Sequence, residues 1–167
     1  MTRLVRSAYL DTNVYVEAAG AGPLCAPSQY VLRFANERRL GAVGSVLLKR
    51  ESLGVCRRVR TRAPLHLYER AIILELPASR SARYLGRLYA SELAIKGSDA
   101  LHLGYAVVAG VDVLVSWNRE DLAKQKTGAG LREINDRLGR KTPALLTPKE
   151  LVEQTNAAPR WGRLSLR

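Results

Sequence analysis

A chain of 167 residues has room for one domain with a sizeable core and is too short for two ordinary ones. Lys and Arg number 27 against 15 Asp and Glu, a net charge of +12 that favours polyanions through steering and counterion release. With 47% hydrophobic residues and no apolar run near the roughly 18 residues of a membrane span, the composition excludes disordered and membrane-spanning classes. Cys25 and Cys56 are too few for a disulfide framework and lack metal-type spacing, so reduced thiols and a cytoplasmic setting are expected. The opening residues, Met1 to Arg6, have no signal-peptide core, which agrees with that setting.

The first apolar stretch, ending at Tyr9-Leu10, reads as a buried strand, and Thr12 or Asn13 can cap a helix over Val14 to Ala19. Gly20 to Pro27 reads as a loop. Gln29 to Arg39 reads as a helix and Gly41 to Gly44 as a short strand or turn. A helix from Ser45 to about Val59 then runs into the basic stretch Arg57 to Arg62. No element is assigned between that stretch and the strand Ile72 to Leu76. A helix from about Ser79 to Ile95 ends at Gly97, and Ser98 caps another that runs to Val108. Val111 to Val115 is a strand, Leu131 to Leu138 a helix and Ala144 to Leu146 a strand. Thr147-Pro148-Lys149-Glu150 is a capping box with Pro at the first helical position. Helices alternating with short apolar strands predict an α/β domain with a mainly parallel sheet.

Four polar islands carry carboxylates beside apolar segments, where an ionised group needs a cation or a hydrogen-bond partner. Asp11 directly follows the first strand, the place where open α/β sheets bind ligands, although turn and cap chemistry also accounts for Asp11-Thr12-Asn13. Glu51 lies in the helical stripe Leu48, Ser52, Val55, Val59, where it needs a compensating group such as one of the many arginines. Asp99 falls in the first turn of its helix, where the dipole favours it, and His102 three residues on can reach the same site, reading as a packed side chain or one that supports a ligand rather than as a ligand itself. Asn118 follows the fourth strand as Asp11 follows the first, with Glu120 and Asp121 close behind. Converging carboxylates make a site for a hard divalent metal, and a basic surface around it suits a phosphodiester.

Leu10-Asp11-Thr12-Asn13, Glu51 after Ser45, Ser98-Asp99-Ala100-Leu101-His102-Leu103 and Leu114-Val115-Ser116-Trp117-Asn118 together resemble a PIN domain. The resemblance is to the VapC-type toxin ribonucleases of toxin–antitoxin pairs, and it spans about Val5 to Val152. It implies a three-layer α/β/α fold with a central, mainly parallel sheet over residues 1–152, followed by a basic tail over 153–167. It also implies a Mg²⁺- or Mn²⁺-dependent endoribonuclease acting on RNA, commonly a homodimer and inhibited by a protein antitoxin. Carried over by position, Asp11, Glu51 and Asp99 are the expected metal ligands, and Asn118 completes the expected catalytic set. Asn13 and Asp121 are secondary candidates. Family members often have a fourth acidic residue where this chain has Asn118, which brings no charge.

The exposed-looking arginines, Arg57, Arg58, Arg60 and Arg62 in one cluster and Arg80, Arg83 and Arg87 in another, are candidate phosphate contacts. Arg160, Trp161, Arg163 and Arg167 form a tail able to touch RNA. Three other readings compete: a PIN-like module that binds RNA or protein without turnover, a nuclease acting on DNA, and a haloacid-dehalogenase-type phosphatase. The last requires a second Asp two residues after Asp11, where Asn13 stands.

Overall fold

The computed structural model describes residues 7–122 and 124–157. Five parallel strands, β1 (Ser7–Leu10), β2 (Gly41–Ser45), β3 (Ile72–Leu76), β4 (Val113–Val115) and β5 (Ala144–Leu146), form one sheet in the order β3-β2-β1-β4-β5. Among the described residues eight helices flank it: α1 (Thr12–Ala18), α2 (Cys25–Asn36), α3 (Val46–Val59), α4 (Ala63–Ala71), α5 (Arg80–Leu93), α6 (Gly97–Val108), α7 (Gln125–Arg137) and α8 (Pro148–Ala157). This is the expected three-layer α/β/α arrangement. One helical layer is built around α1, α2, α4 and α8, the other around α5, α6 and α7.

The central strands are short because they are buried on both faces and read as continuous apolar runs. Ala8, Tyr9 and Leu10 of β1 and Val113, Leu114 and Val115 of β4 have no exposed surface. The chain leaves β1 toward β2 and leaves β4 toward β5, so the crevice between the carboxyl ends of β1 and β4 is the switch point of the sheet. Asp11 N donates to Val115 O there at 2.9 Å, and Ser116 N to Leu146 O at 2.9 Å. The layer formed by α5 and α6 depends on small residues. A Cβ on Gly104 would lie 2.3 Å from the carbonyl oxygen of Ala82, so the two helices cross backbone to backbone.

Several local expectations shift. Asp11, not Thr12 or Asn13, is the N-cap of α1. The α2 helix begins at Cys25, inside the segment expected to be a loop. The unassigned segment before β3 is α4, which buries Pro64, Leu65, Tyr68 and Ala71. Spacing of three residues between those buried positions is a helical signal, masked in the sequence by the basic stretch before it. The α5 helix ends at Leu93, with Ala94 left-handed, and Gly97 opens α6 rather than closing α5. Lys96 takes the cap position expected for Ser98 and offers no side-chain hydrogen bond. The α7 helix begins six residues before Leu131, at Gln125. In α3 the buried line is Leu48, Ser52 and Cys56, while Val59 is exposed at 55%. The Thr147 capping box forms reciprocally, with Thr147 N to Glu150 Oε2 at 2.7 Å and Glu150 N to Thr147 Oγ1 at 3.2 Å. Because α8 runs to Ala157, the boundary expected at residue 152 falls inside a helix. The tail residues Arg160, Trp161, Arg163 and Arg167 lie outside the described residues, as do Met1 to Arg6. Cys25 and Cys56 are free thiols. Among the described residues no helix is long and apolar enough to cross a membrane.

Candidate metal centre

The sheet topology delivers the polar residues to one cleft. Asp11 follows β1, Glu51 projects from the second turn of α3 after β2, and Asp99 and His102 project from the first turns of α6. Asp11, Thr12, Asn13, Glu51, Asp99 and His102 line an open cavity of about 270 Å³. Larger cavities of about 530, 470 and 330 Å³ lie elsewhere, the first two around α7. The smaller one is the better candidate because the donors converge there. Asp11, Glu51 and His102 each offer one ligand atom, all within 4.8 Å of one another, the one such group among the described residues.

Each carboxylate is held. Asp11 is 5% exposed; its Oδ1 accepts from Thr12 N at 2.6 Å, and its Oδ2 accepts from Asn13 Nδ2 and Ser116 Oγ, both at 2.7 Å. Asn13 is fixed in turn, since its Oδ1 accepts from Trp117 N at 3.0 Å. Glu51 Oε2 accepts from Thr12 Oγ1 at 2.5 Å and lies 3.1 Å from His102 Nε2. Asp99 Oδ2 accepts from Asn118 Nδ2 at 3.0 Å. The Asn118 carbonyl oxygen is occupied by Glu120 N and Asp121 N, so the residue braces the site rather than presenting a free oxygen to it.

The electrostatics follow from this packing. Burial pushes the Glu51 carboxyl up, but the His102 hydrogen bond and charge and the Thr12 hydroxyl outweigh it and hold it below the usual range. Burial pushes the His102 imidazole down, yet Asp11, Glu51 and Asp99 more than compensate and hold it above the usual value. Asp99 moves the other way from Glu51: burial, then a hydrogen bond with Asp121, then the Asp11 charge push its carboxyl up to about 6. Lys96 Nζ sits 3.7 Å from Asp121 and partly offsets that accumulation.

Among solved structures, the chain is similar to one in a toxin–antitoxin complex from Klebsiella pneumoniae. The match has a TM-score of 0.54 and 16% sequence identity, and covers 72% of this chain and 93% of that one. A chain in the crystal structure of VapBC2 from Rickettsia felis, bound to a DNA fragment from their promoter, matches at a TM-score of 0.53. Its identity is 18%, with 68% of this chain and 89% of that one covered. The fold is PIN-like. No family model matches the chain, and no curated protein does.

Within this PIN-like frame, Asp11, Glu51 and Asp99 line one cleft, with Asn13 and Asn118 hydrogen-bonded directly behind Asp11 and Asp99. Asp121 adjoins Asp99 from the neighbouring cavity around α7. Sequence reading missed Tyr9, Thr12 and Ser116 as participants and set His102 aside. Tyr9 carried a signal: a phenol in a fully apolar central strand must find a buried partner. It finds Ser45 Oγ at 2.8 Å and His102 Nδ1 at 3.1 Å.

Proposed function

We propose that this chain is a divalent-metal-dependent ribonuclease, the toxin of a toxin–antitoxin pair, which hydrolyses RNA phosphodiester bonds. The observation that carries the reading is the convergence of Asp11, Glu51 and Asp99 in one cleft of a chain with net charge +12. The donor set fits a divalent ion such as Mg²⁺ or Mn²⁺: carboxylates from three different elements line a cleft open to solvent, and Asp11, Glu51 and His102 offer ligand atoms within 4.8 Å of one another. A bound ion supplies positive charge beside the phosphodiester and makes water more acidic there.

The chain's own residues do the positioning. Thr12, Asn13 and Ser116 fix both oxygens of Asp11, which leaves its remaining lone pairs aimed at the cleft. Glu51, held ionised, is placed to bind the ion or to orient water. Asp99 completes the acidic wall from α6. Elsewhere on the surface, Arg83 and Arg87 of α5 flank a shallow cavity of about 190 Å³ with Gly97 and Leu101 of α6. Cations there suit RNA phosphates and set affinity rather than sequence choice. Toxin–antitoxin complexes among similar structures support an antitoxin as the protein partner.

Incubating the protein with a mixed RNA pool that includes tRNA tests this directly. Cleavage is expected with Mg²⁺ or Mn²⁺ and lost with EDTA or in Asp99→Asn. Folded, metal-loaded protein that cuts no RNA would overturn the nuclease and favour a module that binds RNA or protein without turnover. Cleavage of DNA alone would reassign the substrate.

A further inference from the structure

We propose that His102 Nε2 is a direct ligand of this metal centre, joining Asp11 Oδ1 and Glu51 Oε2, so that the site takes Mn²⁺ in preference to Mg²⁺. The inference rests on the metal-dependent reading above and assigns its selectivity to a residue that a carboxylate-only site lacks.

The distances fit. Nε2 lies 3.1 Å from Glu51 Oε2 and 3.6 Å from Asp11 Oδ1. With ligand bonds of about 2.1 Å, adjacent donors in an octahedron stand about 3.0 Å apart and opposite ones about 4.2 Å. Both contacts fall between those limits. The three ligand atoms lie within 4.8 Å of one another, so small side-chain adjustments bring them onto one ion.

The ring is also oriented as a ligand. Metal-binding imidazoles fix their second nitrogen on a polar partner, which sets tautomer and direction. Here Nδ1 meets Tyr9 Oη at 3.1 Å, and Tyr9 Oη meets Ser45 Oγ at 2.8 Å. With Nδ1–H donating to Tyr9 and Tyr9 donating to Ser45, the Nε2 lone pair faces the two carboxylates. His102 is 2% exposed and Tyr9 fully buried, so neither group gains anything from water. A histidine kept only for packing has no need to aim its second nitrogen at two acids across the cleft.

Donor chemistry sets the preference. Carboxylates suit Mg²⁺ and Mn²⁺ alike, whereas imidazole favours first-row transition ions. Two oxygens and one nitrogen therefore tip the site to Mn²⁺. Asp99, one helical turn before His102 on α6, supplies oxygen on the same side of the cleft.

Pulsed electron paramagnetic resonance on the Mn²⁺-loaded protein tests the ligand without relying on activity. The expected result is nitrogen modulation from a directly bound imidazole. The chain has two histidines, and His66 is exposed on α4 outside the cleft, so His66→Gln keeps the signal and His102→Gln removes it. Calorimetry on His102→Gln should show Mn²⁺ affinity reduced about tenfold or more, with Mg²⁺ affinity nearly unchanged. Bound Mn²⁺ without imidazole modulation overturns the ligand role and leaves the metal centre standing. No Mn²⁺ binding at all overturns both. Should His102→Gln fail to fold, wild type and His66→Gln decide the question between them.

Discussion

Asn118 Nδ2 donates to Asp99 Oδ2 at 3.0 Å while Oδ1 of the same amide accepts from Glu120 N and Asp121 N at 3.2 and 3.1 Å. The side chain thus ties the turn after β4 to the first turn of α6, the helix that precedes β4 and packs against it. A carboxylate at this position would accept the same two backbone hydrogens. It would have no hydrogen to offer Asp99, however, and would stand against it as a like charge. Neutrality here keeps Asp99 in place.

Asn118→Asp should therefore shift the acidic limb of the pH–rate profile upward. The Asp99 carboxyl already titrates at about 6 because of burial, then the Asp121 hydrogen bond, then the Asp11 charge. A third neighbouring anion moves it higher, and the ionised form then appears only at higher pH. Measuring cleavage from pH 5 to 9 for both proteins checks this. A limb that stays put, or moves down, would show that Asn118 does not set the ionisation of Asp99.

Asp99→Asn should stabilise the metal-free protein while abolishing cleavage. The folded-state pKa lies above the unfolded one, so the folded protein holds this proton more tightly. Stability is then lost as pH rises from about 4 to about 6 and stays low above that. The amide removes the cost, worth on the order of 1 kcal/mol at pH 7 after discounting for the half-exposed carboxyl. Denaturant melts at pH 4 and pH 7.5 give the comparison. The gain should be present at the higher pH and absent at the lower.

Gly104→Ala should destabilise the domain by about 1–3 kcal/mol. The new methyl meets the Ala82 carbonyl, which is backbone within α5 and has no freedom to swing away. Gly54→Ala is the matched control, since nothing lies within 4 Å of a Cβ there and the substitution favours the helix. Equal thermal midpoints for the two variants would rule out a backbone-to-backbone crossing at Gly104.

What the chain revealed by itself depended on whether a residue acts through local sequence or through a distant partner. The β3 and β5 strands, the helix starts near Ser45 and Ser79 and the Thr147 box were readable because apolar runs and terminal residues act within a few positions. Asp11, Glu51 and Asp99 were readable as carboxylates in costly places, and the resemblance supplied their grouping. The bracing was not readable. Ser116 reaches Asp11 across 105 residues and Tyr9 reaches His102 across 93, and no periodicity encodes a pairing of that range. For His102 the sequence offered a packed or supporting side chain able to reach the site, and its partners Tyr9 and Glu51 are visible only once its two nitrogens are traced. The cap at Lys96 escaped notice because Ser98 is the stronger cap by type, and the chain enters α6 two residues earlier.

Tyr9→Phe separates a positioning role from a merely structural one. The change removes a buried hydroxyl that joins Ser45 to His102, at an expected cost of about 1–2 kcal/mol. It touches no carboxylate and leaves the Ser45 cap on Leu48 N intact. If the phenol fixes the imidazole, Mn²⁺ affinity falls about tenfold, the usual penalty for losing the partner behind a metal-binding histidine. Tyr89→Phe supplies the contrast, because Tyr89 Oη makes a comparable buried bond to Asn135 Oδ1 at 2.5 Å, outside the cleft. Both variants should melt earlier, and only Tyr9→Phe should lose Mn²⁺ in calorimetric titrations. Equal affinity in the two would mean that Tyr9 supports the fold alone, with the His102 ring held by its packing against α6 and β1.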